Sequence, residues 1–211
     1  MKNSWFHNSL LISILWIVNS SSISAQPTRN VHEQVVITHT IFDSTFKKAL
    51  FKGSLDIGKH HLTGLFFIKR ISDNTFRIVF SNEIGMNYFD LESKEDSLII
   101  HSCFPSLNRK SLLQVIDNDI RYLVFPLRNI IKIKTIQSKD SSLILYGLKS
   151  KKGSFQYSVA TESGRICRIQ TKHAIMGKTD IHLEYVANNI RKIIITNPTV
   201  GLLLHMTLLS N

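Results

Sequence analysis

The chain has 211 residues, with 26 lysines and arginines against 15 aspartates and glutamates, giving a formal net charge of +11. That length fits one domain with a sizeable core, and the basic balance favours acidic partners such as anionic lipid headgroups or polysaccharide. Its two cysteines, Cys103 and Cys167, lie far from the amino terminus, so no amino-terminal lipid anchor is expected.

The first residues read as an export leader. Lys2 supplies a positive start, Leu10 to Val18 is apolar apart from Ser13, and Asn19 to Ser22 is polar. Ile23-Ser24-Ala25 offers a small-residue cleavage site ahead of Gln26-Pro27. The apolar run falls short of the ~20 residues a spanning helix needs. The expectation is a cleaved signal peptide over 1–25, a single β-rich domain over 26–211, and a periplasmic or secreted location. Export makes nucleic acid a poor partner for the basic residues, and only Lys149, Lys151 and Lys152 cluster.

Strand signals follow. Strands are expected over 46–57, 61–71, 75–81, 86–92 and 97–103. Turns fall at Gly58-Lys59-His60, Ser72-Asp73-Asn74, 82–85 and 93–96. In the third of these strands Phe76, Ile78 and Phe80 point one way and Arg77 and Val79 the other. The period then changes. Leu112, Ile116, Ile120 and Leu123 fall at helical spacing, widened by Leu113 and Val124. Lys110, Gln114, Asp117, Asn118 and Arg121 occupy the opposite side and are expected in solvent. Asn108 is the expected N-cap and Pro126 the stop, so the helix is expected over about 108–125. Strands resume over 130–137, 143–149, 155–161, 165–174, 180–187, 190–197 and 200–210. Their short breaks imply antiparallel neighbours.

About five strands, a helix and about seven more strands make a sheet that must curl. The fold class is mainly β (α+β): a curved antiparallel sheet, or incomplete β-barrel, with one amphipathic helix on its concave side. Several strands are apolar on both faces. That fits a thick core or an apolar cavity between sheet and helix equally well.

No catalytic constellation is present: no His-Glu-x-x-His, no Gly-x-Ser-x-Gly, no phosphate-cradling glycine loop and no Cys-x-x-Cys. Asp117 and Asp119 are two apart on a helix and do not face one another. His60 and His61 are adjacent and point to opposite faces of a strand, and the other strand histidines are scattered, so no metal site and no cofactor are expected. Cys103 and Cys167 are the candidates for a disulfide in an oxidising compartment, or else two buried thiols acting as small hydrophobes. Ile84 and Met86 flank Gly85 in a connection, where apolar residues serve as a wedge toward a membrane or partner, or pack back onto the core.

Leu65-Phe66-Phe67-Ile68-Lys69 followed by Phe76-Arg77-Ile78-Val79-Phe80, within a curved sheet interrupted by one helix, resembles the second and third strands of the LolA/LolB-like envelope proteins of Gram-negative bacteria. The resemblance covers about twenty residues as sequence and most of the chain as an order of elements. It implies a non-enzymatic carrier whose apolar cavity shelters a lipid or the acyl chains of a lipoprotein. Phe66, Phe76 and Phe80 on the sheet and Ile116 and Ile120 on the helix are then the cavity candidates. Arg77 matches the arginine that holds the helical lid closed, and Ile84 stands in the loop where the receptor member presents its wedge. The sequence departs from that family in lacking a lipidated cysteine and in placing both tryptophans, Trp5 and Trp16, in the leader. The competing expectation is an envelope interaction protein with a solid core and a basic face docked on anionic surface material.

Overall fold

A computed structural model describes residues 41–210 apart from 43–44, 96, 126–129, 152, 174–176 and 188. The leader, its cleavage site and Pro126 lie outside the described residues. Five strands come first: β1 (Lys48–Ile57), β2 (His60–Ser72), β3 (Thr75–Ser81), β4 (Asn87–Lys94) and β5 (Ser97–Cys103). A short 3-10 turn, Pro105–Leu107, leads into α1 (Lys110–Val124). Seven strands complete the chain: β6 (Ile130–Ile136), β7 (Leu143–Ser150), β8 (Gly153–Ala160), β9 (Ile166–His173), β10 (Gly177–Val186), β11 (Asn189–Asn197) and β12 (Leu202–Ser210).

All twelve strands form one antiparallel sheet in the order β5-β4-β3-β2-β1-β12-β11-β10-β9-β8-β7-β6. Short turns pair each strand with its sequence neighbour, and β1 pairs with β12 along Leu50 to Ile57. That closure places β5 and β6 at the two edges, and the segment joining them carries α1. The sheet is therefore an open barrel with a helix in the connection between its two edges, as the element count requires.

Strong curvature has a local cause. Gly53 of β1 and Gly64 of β2 sit directly opposite one another. A Cβ at Gly53 would overlap the His205 carbonyl oxygen, and one at Gly64 would overlap that of Ser81. Only glycine lets the backbones on either side fold in this closely.

Alternation sets the inner face. Ile68 lies opposite Ile78, Phe66 opposite Phe80, and Ile78 opposite Leu91, and all five are fully buried. Phe66 and Phe80 stack at 3.8 Å between ring centroids, with Phe89 edge-on to Phe66 at 6.2 Å. Leu113, Val115, Ile116, Ile120, Leu123 and Val124 of α1 face this core. Burying each such side chain contributes about 1.5–3 kcal/mol.

Three expectations are corrected. The helix begins at Lys110 with Arg109 as its cap, because Asn108 is held in the preceding 3-10 turn by its N–H to the Pro105 carbonyl. Asp117 and Asp119 are not in solvent: they are 3% and 1% exposed. The curled sheet reaches around the helix, so part of its polar side also meets protein. Cys103 and Cys167 are free thiols, on β5 and β9, and each Sγ points to a backbone carbonyl, of Phe104 and Ser158 respectively.

Candidate functional site

The helix is tied to the sheet by polar groups on two sides. Toward β4 and β5, Arg121 donates to the carbonyls of Lys94, Glu95 and Ser97, the last at 2.8 Å. Its Nε donates to the Asp117 carboxylate at 2.7 Å, one helical turn earlier. Burial pushes the Asp117 carboxyl up, and the Arg121 guanidinium and the Ser93 hydroxyl beside it pull it partly back. Toward β10 and β11, Asp119 accepts from the Thr179 hydroxyl at 2.6 Å and from the Asn197 amide at 3.2 Å. Burial raises the Asp119 carboxyl to about 6, because these two neutral donors only partly replace water. Tyr122, next to Arg121 in the helix, is pushed up to about 12 by burial and by the Asp119 charge.

Arg77 is placed elsewhere. It lies on the outer face, 28% exposed at its side chain, and its guanidinium bonds Asp90 at 2.5 and 2.7 Å with Glu92 at 3.6 Å. Its bonded partners are on the neighbouring strand, since Arg77 stands opposite Glu92 in the β3–β4 register. The contact to the helix that the resemblance implied for it is made instead by Arg121, 15% exposed, from the helix side. Sequence reading missed Arg121 by assigning it to the solvent face. The signal was its i, i+4 spacing from Asp117.

Phe66, Phe76, Phe80, Ile116 and Ile120 come together as expected, but as closed core: all are at most 1% exposed and touch one another rather than an opening. An opening lies at the end of the helix instead. A cavity of about 760 Å³ separates the first turn of α1 from the β1–β2 and β11–β12 turns. Ile57, Leu112, Val115 and Val200 supply its apolar lining, and Lys59, His60 and Arg109 line it with basic side chains. The size lies within the ~300–1,000 Å³ typical of small-ligand sites. Leu112 is half-buried: it packs against the core and also lines this space.

Ile84 is 91% exposed and Met86 is exposed beside it. The loop that holds them is built, not loose. The Asn82 side chain accepts from the Met86 N–H at 2.7 Å, the Asn82 N–H donates to the Met86 carbonyl at 2.9 Å, and Gly85 takes the positive φ of 89° that the turn demands. Ile84 therefore does not pack back onto the core.

No protein-family model matches the chain, and no curated protein does either. Solved structures are similar in fold. A LolA superfamily protein from Nitrosomonas europaea matches with a TM-score of 0.56 at 8% identity, over 83% of this chain and 90% of that one. An outer membrane lipoprotein-sorting protein domain from Vibrio parahaemolyticus gives 0.46 at 8% identity, over 77% and 83%. A DUF1329 family protein from Desulfovibrio piger gives 0.46 at 11% identity, over 78% and 85%. The first of these carries the comparison: the chain has a LolA-like fold. Among the described residues no helix is long and apolar enough to cross a membrane, which says nothing of strands.

Proposed function

We propose that the protein is a periplasmic, non-enzymatic carrier or binder that takes the acyl chain of a lipid or lipoprotein at the mouth beneath the first turn of α1. It is read as a single domain over 26–211, exported by a leader removed near Ala25. The observation that carries this is the mouth itself: an apolar lining with Lys59 and Arg109 beside it, between the first turn of α1 and the β1–β2 and β11–β12 turns of a LolA-like fold. An acyl chain suits the lining and an anionic headgroup suits those basic residues. A longer chain would pass under the helix only if α1 shifts, and the Arg121 bonds to the β4–β5 turn are the contacts that must then part. Ile84 and Met86 serve as the wedge that meets a membrane or a partner.

The test is native mass spectrometry of the protein purified from the envelope fraction of its producing cells. The expected result is a lipid-bound species, lost when Val200→Trp or Leu112→Trp fills the mouth. A ligand-free protein in both backgrounds contradicts the proposal.

A second reading keeps a solid core and gives the protein a docking role at an anionic envelope surface. One observation favours it: the sheet–helix interface around Phe66, Phe80 and Ile116 is closed. It predicts no acyl binding at the mouth.

A further inference from the structure

The outer face of β6–β10 holds an arrangement that the lipid reading does not use. Strand register aligns Lys132, Lys149, Ser154, Lys172 and Lys178 into one cross-strand row. Lys132 stands opposite Lys149, and Lys172 opposite Lys178. Like charges placed directly opposite destabilise a sheet. Here the cost is incurred twice in one row, by four exposed side chains.

Among the described residues no carboxylate pairs with them. β6, β7, β8 and β9 carry no acidic residue. The adjacent row on the same face runs Lys134, Gly147, Gln156, Gln170 and Asp180. Its one carboxylate is occupied: Asp180 accepts from Arg168 Nε at 2.8 Å and from the Gln170 amide at 3.2 Å, with His182 at 3.3 Å.

The two rows line a cleft of about 760 Å³. Gly147 contributes no side chain, and Ile136 Cδ1 and the Lys134 stem lie over that gap. Gln156 and Gln170 are half-buried in this lining, and the lysines beside them are exposed.

We propose that this cleft binds a linear acidic polysaccharide of the uronic-acid type, laid across the strands with its carboxylates against the lysine row. Neighbouring strands are about 4.8 Å apart, close to the advance of one pyranose unit in an extended 1,4-linked chain. Adjacent sugars of an extended two-fold chain turn their carboxylates to opposite sides, so same-side charges recur about every two strand spacings, the separation of Lys149 on β7 and Lys172 on β9, and the sugar hydroxyls meet Ser154, Gln156 and Gln170. A planar bilayer cannot reach the half-buried Gln156 and Gln170. No exposed aromatic side chain lines the cleft to stack a nucleic-acid base. The site is independent of what the mouth takes up.

The test is calorimetric titration of the purified protein with polymannuronate oligomers at low salt, from disaccharide to octasaccharide. Affinity should rise with length until the oligomer spans the five strands and then level off. The double variant Lys149→Gln/Lys172→Gln should weaken hexasaccharide binding about tenfold, from two exposed ion pairs lost, while melting no lower than the parent. Lys192→Gln, on β11 with its own Glu184 partner at 3.4 Å, should bind as the parent does. The proposal is overturned if no oligomer binds saturably or if binding ignores the two lysines. It is also overturned if phosphatidylglycerol vesicles or single-stranded DNA bind more tightly with the same lysine dependence, which would make this a membrane or nucleic-acid face.

Discussion

Strands β2–β4 and strands β8–β10 both bury their inner faces, yet different chemistry fills the two. Under β2–β4 the filling is Phe66, Ile68, Phe76, Ile78, Phe80, Phe89 and Leu91, all fully buried. Under β8–β10 it includes Tyr157, Thr171 and Thr179, and α1 meets this side through the Asp119–Thr179–Asn197 cluster. The outer faces differ as well. Across β3 and β4, Arg77 is matched by Asp90 and Glu92, whereas β6 to β9 carry lysines with no acidic residue among them. The lesson is a division of labour within one sheet. The aromatic half supplies stability through area that cannot be opened cheaply. The other half meets the helix through polar groups whose strength depends on protonation, and its outer side is left with unmatched charge.

Disrupting the aromatic side should have the largest effect. Ile116→Asp buries an unpaired carboxylate among phenylalanines, costing several kcal/mol, and the variant should lose its cooperative thermal transition by circular dichroism. A melt like the parent's would mean that the helix does not pack here.

Next comes Arg121. Arg121→Met leaves Asp117 buried without its cation and should cost about 3–5 kcal/mol in chemical denaturation, with much of it recovered in Arg121→Met/Asp117→Leu. Arg77→Leu, on the partly exposed outer face, should cost about 1 kcal/mol or less. Equal losses for the two arginines would erase the distinction between latch and surface pair.

The polar side should reveal itself through pH. Asp119 has a folded pKa raised from 3.8 to about 6. A raised folded value means that its contribution is fully present below the unfolded value and is lost as pH rises through about 6. Between pH 4 and pH 7 this one group should remove roughly 2 kcal/mol. Asp119→Asn should flatten that part of the stability profile relative to the parent, measured by urea unfolding across the range. Parallel profiles would show that Asp119 is better solvated than its burial indicates.

The smallest stability effect belongs to the exposed loop. Ile84→Ser should change stability by no more than about 0.5 kcal/mol while reducing insertion into lipid monolayers. Unchanged insertion would remove Ile84 as a wedge.

The sheet was legible because alternation and turn residues are local signals, and Phe76-Arg77-Ile78-Val79-Phe80 shows both faces in five residues. The helix was legible from its stripe, though not its cap, because the 3-10 turn at Pro105 claims Asn108. The burial of Asp117, Asp119 and Arg121 was not legible. Which polar residues of a helix meet protein depends on how far the sheet curls around it, and that curl rests on close backbone approaches at Gly53 and Gly64 that pattern alone does not locate. The lysine row was hidden for a related reason. Lys132, Lys149, Lys172 and Lys178 are scattered in sequence and become neighbours only through register.

The most direct test of the central proposal, an acyl-binding mouth, is titration of the purified protein with a fluorescent long-chain fatty acid, in parallel with Val200→Trp. Val200 lies on a turn at the mouth, so a larger side chain there fills the space without repacking the core. The account predicts saturable binding by the parent, and at least tenfold weaker binding by a variant that melts as the parent does. Equal binding by both, or none by the parent, would contradict it.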